Sequence, residues 1–108
     1  MREDVDSRIN RLSKIVQKFP FYTRVYNALG AAYLEKNRAS EAIEWFKKGL
    51  DINPRYYSLC YGLAMAYNKS GYVDNAIRLS EKALQENPSH HEPYTSLGDA
   101  YEAKGNLS

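Results

Sequence analysis

The sequence predicts an all-α fold, a solenoid of stacked antiparallel helix pairs with about six helices. Three observations predict it. Pro20, Pro54 and Pro88 stand 34 residues apart, and the same step links Leu29, Leu63 and Leu97, then Ala32, Ala66 and Ala100, then Tyr33, Tyr67 and Tyr101. A fixed period of this length marks repeated helical hairpins. Within each copy, apolar residues recur at three- and four-residue spacing, which gives a helix one apolar face. Turn-forming residues fall between those stretches and keep the same period.

Each element follows from that frame. The first helix is expected over 6–18, with Asp6 at its N-cap and Ile9, Leu12 and Val16 as its apolar stripe. Pro20 then marks a turn, because proline cannot continue a helix. A second helix is expected over 23–36, where Tyr26, Leu29, Ala32, Tyr33 and Lys36 share one face. Asn37, Gly71 and Gly105 occupy one repeat position and are residue types that tolerate the left-handed backbone of a helix C-terminus. Ser40, Asp74 and Ser108 follow three residues later as candidate N-caps. Helices are therefore expected over 40–52, with Ala42, Ile43, Phe46 and Leu50 inward, over 57–70, over 74–86 and over 91–104, where Pro93 suits a first turn. Laid over one another, 23–56 and 57–90 are identical at nine positions, most of them apolar or turn residues.

The organisation is one domain, 1–108: a half-repeat helix in 1–22, full repeats in 23–56 and 57–90, and a second half-repeat in 91–108. Asp6 and Ser108 fall in phase with the 34-residue step, so the chain reads as three repeats' worth cut in mid-unit, and a fragment boundary is expected.

Composition narrows the function classes. Lys and Arg number 15 and Asp and Glu 13, a net charge of +2, with opposite signs interleaved along the helices. A nucleic-acid partner, which needs a basic face, is not expected. No apolar run approaches the ~20 residues that span a bilayer, the N-terminus lacks a secretory signal, and no membrane partner is expected. The single cysteine, Cys60, excludes an intrachain disulfide. Together these features suggest a cytoplasmic setting. No phosphate-cradling loop, carboxylate pair or Ser/His/Asp set is present, so neither enzymatic activity nor a cofactor is expected. His90, His91 and Glu92 are adjacent and point apart on a helix start, which argues against a metal.

The repeat unit resembles the tetratricopeptide repeat, whose pattern is W-x2-L-G-x2-Y, then A-x3-F, then P. The chain has Tyr26-x2-Leu29-Gly30-x2-Tyr33, Ala42-x3-Phe46 and Pro54. It then has Cys60-x2-Leu63-Ala64-x2-Tyr67, Ala76-x3-Ser80 and Pro88, and last Tyr94-x2-Leu97-Gly98-x2-Tyr101. Cys60 and Ser80 replace aromatic residues, so packing in the second copy is expected to be the loosest. Trp45 is expected to pack partly against the next hairpin.

The resemblance implies a right-handed superhelix whose first helices line a concave, peptide-binding groove. Carried over by repeat position, the groove residues are Arg24, Asn27, Glu35, Tyr61, Met65, Asn68, Lys69, Thr95, Asp99 and Glu102. Tyr61 and Met65 are the strongest contact candidates, an aromatic ring beside a flexible thioether. Relatives that bind chaperone C-termini use a clamp of Lys, Asn and Arg. The matching positions here are Asn27, Ala31, Gly62, Glu92 and Ser96, without a cation, so that ligand class is not expected.

These readings converge on a protein-interaction module that takes a peptide or protein partner in its groove. Two alternatives stand beside it. The chain could be a non-catalytic part of a larger protein. Or it could be a structural module that self-associates into a homo-oligomer through uncovered half-repeat ends, with Ile9, Leu12 and Val16 partly bare at one end and Tyr94, Tyr101 and Leu107 at the other.

Overall fold

The computed structural model describes residues 3–86, together with Gly98, Tyr101, Glu102, Lys104 and Gly105. Five helices follow one another: α1 (Val5–Lys18), α2 (Thr23–Glu35), α3 (Ala39–Ile52), α4 (Tyr57–Lys69) and α5 (Val73–Glu86). The five separate described residues near the C-terminus are also helical. The rest of the sixth helix expected over 91–104 lies outside the described residues. Each helix packs on the next, and α2 also meets α4. The loops hold only three or four residues, which makes neighbours antiparallel.

Two kinds of turn alternate, and each is set by local chemistry. After α2, Asn37 takes φ 60° and, after α4, Gly71 takes φ 86°. Around them the amide of Arg38 donates to the carbonyl of Tyr33 at 2.9 Å, and the amide of Tyr72 to that of Tyr67 at 2.8 Å. The amides of Asn37 and Gly71 reach the carbonyls of Leu34 and Asn68. This is the paired closure of a Schellman motif, and it satisfies carbonyls that the helix end would leave open. After α1 and α3 the turn is built on proline. Tyr22 N–H donates to Phe19 C=O at 3.1 Å, and Tyr56 N–H to Asn53 C=O at 3.2 Å, which spans Pro20 and Pro54.

The Schellman closure also corrects the expected caps. Arg38 and Tyr72 finish one helix and at once stand before the next, whose first bonds run from Ala42 N–H to Arg38 C=O and from Ala76 N–H to Tyr72 C=O, both 3.1 Å. The helices therefore start earlier than Ser40 and Asp74, which lie in first turns and do not cap. Asp6 likewise lies inside the first turn of α1. The cap there is Asp4, whose carboxylate accepts from Ser7 N–H at 2.7 Å. Gly105, expected in a left-handed terminus, is helical.

The core sits where successive hairpins meet. Tyr26, Ala42, Phe46, Leu59, Leu63 and Ala66 form its centre, with Leu12, Val25 and Leu29 on one flank and Ala64, Val73, Ala76 and Ile77 on the other. Phe46 is its largest fully buried side chain, at 1% exposure. Two glycines hold it. A Cβ added at Gly30 on α2 would lie 2.4 Å from the Phe46 ring, and one added at Gly62 on α4 would lie 2.5 Å away. One repeat on, the equivalent of Phe46 is Ser80, and Ala64 takes the place of Gly30. A smaller residue thus faces a larger neighbour, and Ser80 is buried at 2%. Trp45 is partly buried: its ring meets Tyr26 (centroids 5.9 Å apart) and borders both the Leu12–Val25–Leu29 cluster and the central cluster, which includes Leu59 and Leu63 of the next hairpin.

The period extends to surface contacts. Asp6 pairs with Lys36, and 68 residues on Asp74 pairs with Lys104 at 3.0 Å. Between them, at the same repeat positions, stand Ser40 and Ser70. Lys47 lies 6.0 Å from the ring centroid of Tyr67, and the equivalent pair one repeat later is Glu81 with the Tyr101 hydroxyl, at 3.0 Å.

Candidate functional site

A cleft of about 530 Å³ opens between α2 and α4. Asn27, Ala31, Leu34 and Glu35 form the α2 wall, and Ser58, Tyr61, Gly62, Met65 and Lys69 the α4 wall. Helical spacing explains the membership, since positions three and four apart share a face. Its floor is the Phe46 ring, which projects from α3 between the two helices. It reaches the cleft because Gly30 and Gly62 carry no side chain in its way. The small surface of Ala31 and the half-buried Tyr61 and Met65 leave an apolar centre. Polar groups mark the rim: Asn27 and Glu35 on one wall, Ser58 and Lys69 on the other. Glu35 is engaged by Arg8 of α1, whereas Lys69 forms no ion pair among the described residues. Clefts between α3 and α5 are smaller, about 340 Å³ for the one beside Cys60, and that one carries mixed charge from Asp51, Lys82 and Glu86.

Five of the residues singled out from sequence, Asn27, Glu35, Tyr61, Met65 and Lys69, meet in the α2–α4 cleft. Arg24 stands apart from it, beside the hydroxyls of Tyr56 and Tyr22, which raise its already high pKa. Asn68 belongs to α4 but is not among the residues lining the cleft, and its Oδ1 is buried without a hydrogen-bond partner among the described residues. Glu102 is helical and exposed. Thr95 and Asp99 lie outside the described residues, as do Glu92, His90 and His91. The residues missed by sequence reasoning are Phe46 as floor and Gly62 as the gap that admits it. A signal for Gly62 was available, since its repeat equivalents Ala28 and Ser96 are also small.

At the N-terminal end, Leu12 is not bare. It is 6% exposed because Val25 and Leu29 of α2 cover it, and Ile9 and Val16 are half-buried around the same cluster. Arg8 occupies the repeat position that Ala42 and Ala76 fill at 0% exposure. A charged residue stands there, paired with Glu35 of α2. Tyr101 is 51% exposed, while Tyr94 and Leu107 lie outside the described residues.

Cys60 is buried, and burial first, with Glu86 second, pushes its thiol above the usual value. A raised thiol pKa is the reverse of what a nucleophile needs.

Comparison with known proteins agrees with this architecture. Residues 23–56 and residues 57–90 each match the tetratricopeptide repeat. No curated protein matches the chain. Among solved structures, a crystal structure of MamA superposes with a TM-score of 0.84 at 30% identity, covering 94% of this chain and 59% of that one. A second, titled MamA protein, gives 0.80 at 31% identity, over 90% and 53%. The chain thus spans a little over half the length of the MamA structures. The second TPR domain of human RPAP3, solved by NMR in complex with the HSP70 peptide SGPTIEEVD, gives 0.84 at 15% identity, over 90% and 81%, a likeness of fold. On its repeat matches, its 34-residue period and its stacked hairpins, the chain belongs to the tetratricopeptide repeat family.

Proposed function

We propose that this protein is an interaction module that holds a segment of a partner protein in the α2–α4 cleft. The observation that carries the reading is the Phe46-floored cleft itself. Its centre is apolar, its walls are helices, and its rim offers the Asn27 amide and the Lys69 ammonium, which forms no ion pair among the described residues. Such a site takes an apolar side chain at its centre, while polar rim groups fix register. The helices are already packed, so little ordering opposes binding. The RPAP3 domain, alike in fold, is described with a bound peptide, which supports the interaction class. The ligand differs from a C-terminal carboxylate, because Asn27 and Ala31 supply no cation where a clamp requires one.

The test is selection from a peptide library, then measurement of the best binder against Tyr61→Ala and Asn27→Ala. Loss of the Tyr61 ring is expected to weaken binding by about tenfold or more, as for an aromatic anchor. Binding unchanged in both variants would remove the cleft as the site.

A further inference from the structure

The turn between α1 and α2 departs from its own repeat in a way the fold does not require. Phe19, Pro20, Phe21 and Tyr22 correspond, 34 residues on, to Asn53, Pro54, Arg55 and Tyr56. The backbones agree: the same turn bond closes each, and the amides of Val25 and Leu59 donate back to Tyr22 and Tyr56. In the second turn Asn53 Oδ1 also accepts from Arg55 N–H at 3.2 Å. The first turn gives up that bond and carries two phenyl rings. Phe21 is 80% exposed and Phe19 54%, with Tyr22 beside them at 49%. The backbone beneath is fixed, because the Tyr26 hydroxyl donates to Pro20 C=O at 2.6 Å. Single exposed apolar residues are ordinary, but three in four consecutive positions form a contact patch.

The charge in the sequence flanking the patch has one sign. Residues 7–34 contain Arg8, Arg11, Lys14, Lys18 and Arg24 and no Asp or Glu. Arg8 and Arg11 are taken up by Glu35 and Glu3, while Lys14, Lys18 and Arg24 form no ion pair among the described residues. Lys18 lies 5.8 Å from the Phe19 ring centroid, and Arg24 sits beside Tyr22. The tip is a projection of exposed rings flanked by cations that pair with no carboxylate among the described residues. It suits a deformable, negatively charged surface, where rings enter the interface and ammonium and guanidinium groups meet headgroups.

We propose that the α1–α2 turn is a membrane-contact tip that docks on anionic lipid. No helix among the described residues is long and apolar enough to cross a membrane, and the expectation of no membrane partner drew on the absence of a spanning run and of a secretory signal, neither of which bears on interfacial contact. Interfacial contact needs no spanning segment. Binding is reversible, since each cation at an anionic surface contributes about fivefold to partition and two rings add a limited apolar term.

The experiment is co-sedimentation of the whole chain with vesicles of phosphatidylcholine alone and with added phosphatidylserine. The chain is expected to bind only the anionic vesicles and to be released by salt. Phe19→Asn with Phe21→Ser installs residues the chain itself uses at the equivalent positions, Asn53 and Ser89, so the fold is retained. That variant, checked for native helicity, is expected to lose roughly tenfold in partition. Lys14→Gln, Lys18→Gln and Arg24→Gln together are expected to lose on the order of a hundredfold. Absence of binding, equal binding to neutral vesicles, or binding untouched by the phenylalanine pair would overturn the proposal. Capture of a soluble protein that depends on the two phenylalanines, without vesicle binding, would assign the tip to a protein and overturn it equally.

Discussion

Gly62→Ala places one methyl group where the structure has no room. The added Cβ would lie 2.5 and 2.6 Å from two atoms of the Phe46 ring, which is 1% exposed and held from the other side by Gly30. The ring cannot retreat, because a Cβ at Gly30 would already lie 2.4 Å from it. Overpacking a filled core costs about 1–3 kcal/mol, and a contact this short belongs in the upper half of that range. Alanine returns up to about 1 kcal/mol through its helix propensity. The net expectation is a loss of about 1–2 kcal/mol, read by urea denaturation as a lower midpoint at unchanged slope. Phe46→Leu shortens the ring side chain to the residue that Leu12 supplies at the equivalent position of α1, facing Ala28. If the clash is the cause, the double variant should be more stable than the sum of the single losses predicts, by about 1 kcal/mol. Strict additivity, or a Gly62→Ala protein as stable as the parent, would refute the wedge of Phe46 between two glycines.

Two further outcomes follow from ionisation. The Ser7 amide bond holds the Asp4 carboxyl below the usual aspartate range. That contribution is complete above the ordinary pKa and fades as pH falls through the lowered folded value. Asp4→Asn, which still caps, should therefore leave neutral stability nearly unchanged and flatten the acid limb of a stability–pH curve; an unaltered limb would contradict the cap. Because burial raises the Cys60 thiol, a thiol reagent near neutral pH should react slowly with the native chain and quickly in denaturant. Equal rates in both would show that Cys60 is not shielded.

The sequence disclosed the helices because its period and its apolar spacing report the same physical demand, a stripe that must be buried. Asn37 and Gly71 were legible for the same kind of reason, since few residues accept a positive φ. The caps were not. Whether Ser40 or Arg38 precedes α3 depends on which amide closes the previous helix, a bond between chain segments that residue type alone does not specify. The cleft walls could be read by repeat position, as Asn27 and Tyr61 illustrate, because helical geometry fixes which positions share a face. The floor could not. Phe46 is a core residue by every local criterion, and it reaches the cleft only because two other helices both present glycine to it. Arg24, which repeat position assigns to the groove, is not among the residues that line the α2–α4 cleft and stands beside Tyr56 and Tyr22.

The central claim is that the α2–α4 cleft receives a partner segment, and amide and methyl NMR during titration with a library-selected peptide tests it most directly. The account predicts shifts concentrated at Ala31, Tyr61, Gly62 and Met65, with intermolecular contacts to the Phe46 ring. Shifts confined to the α3–α5 face, at Ile43, Tyr72 and Leu79, with the cleft silent, would contradict it.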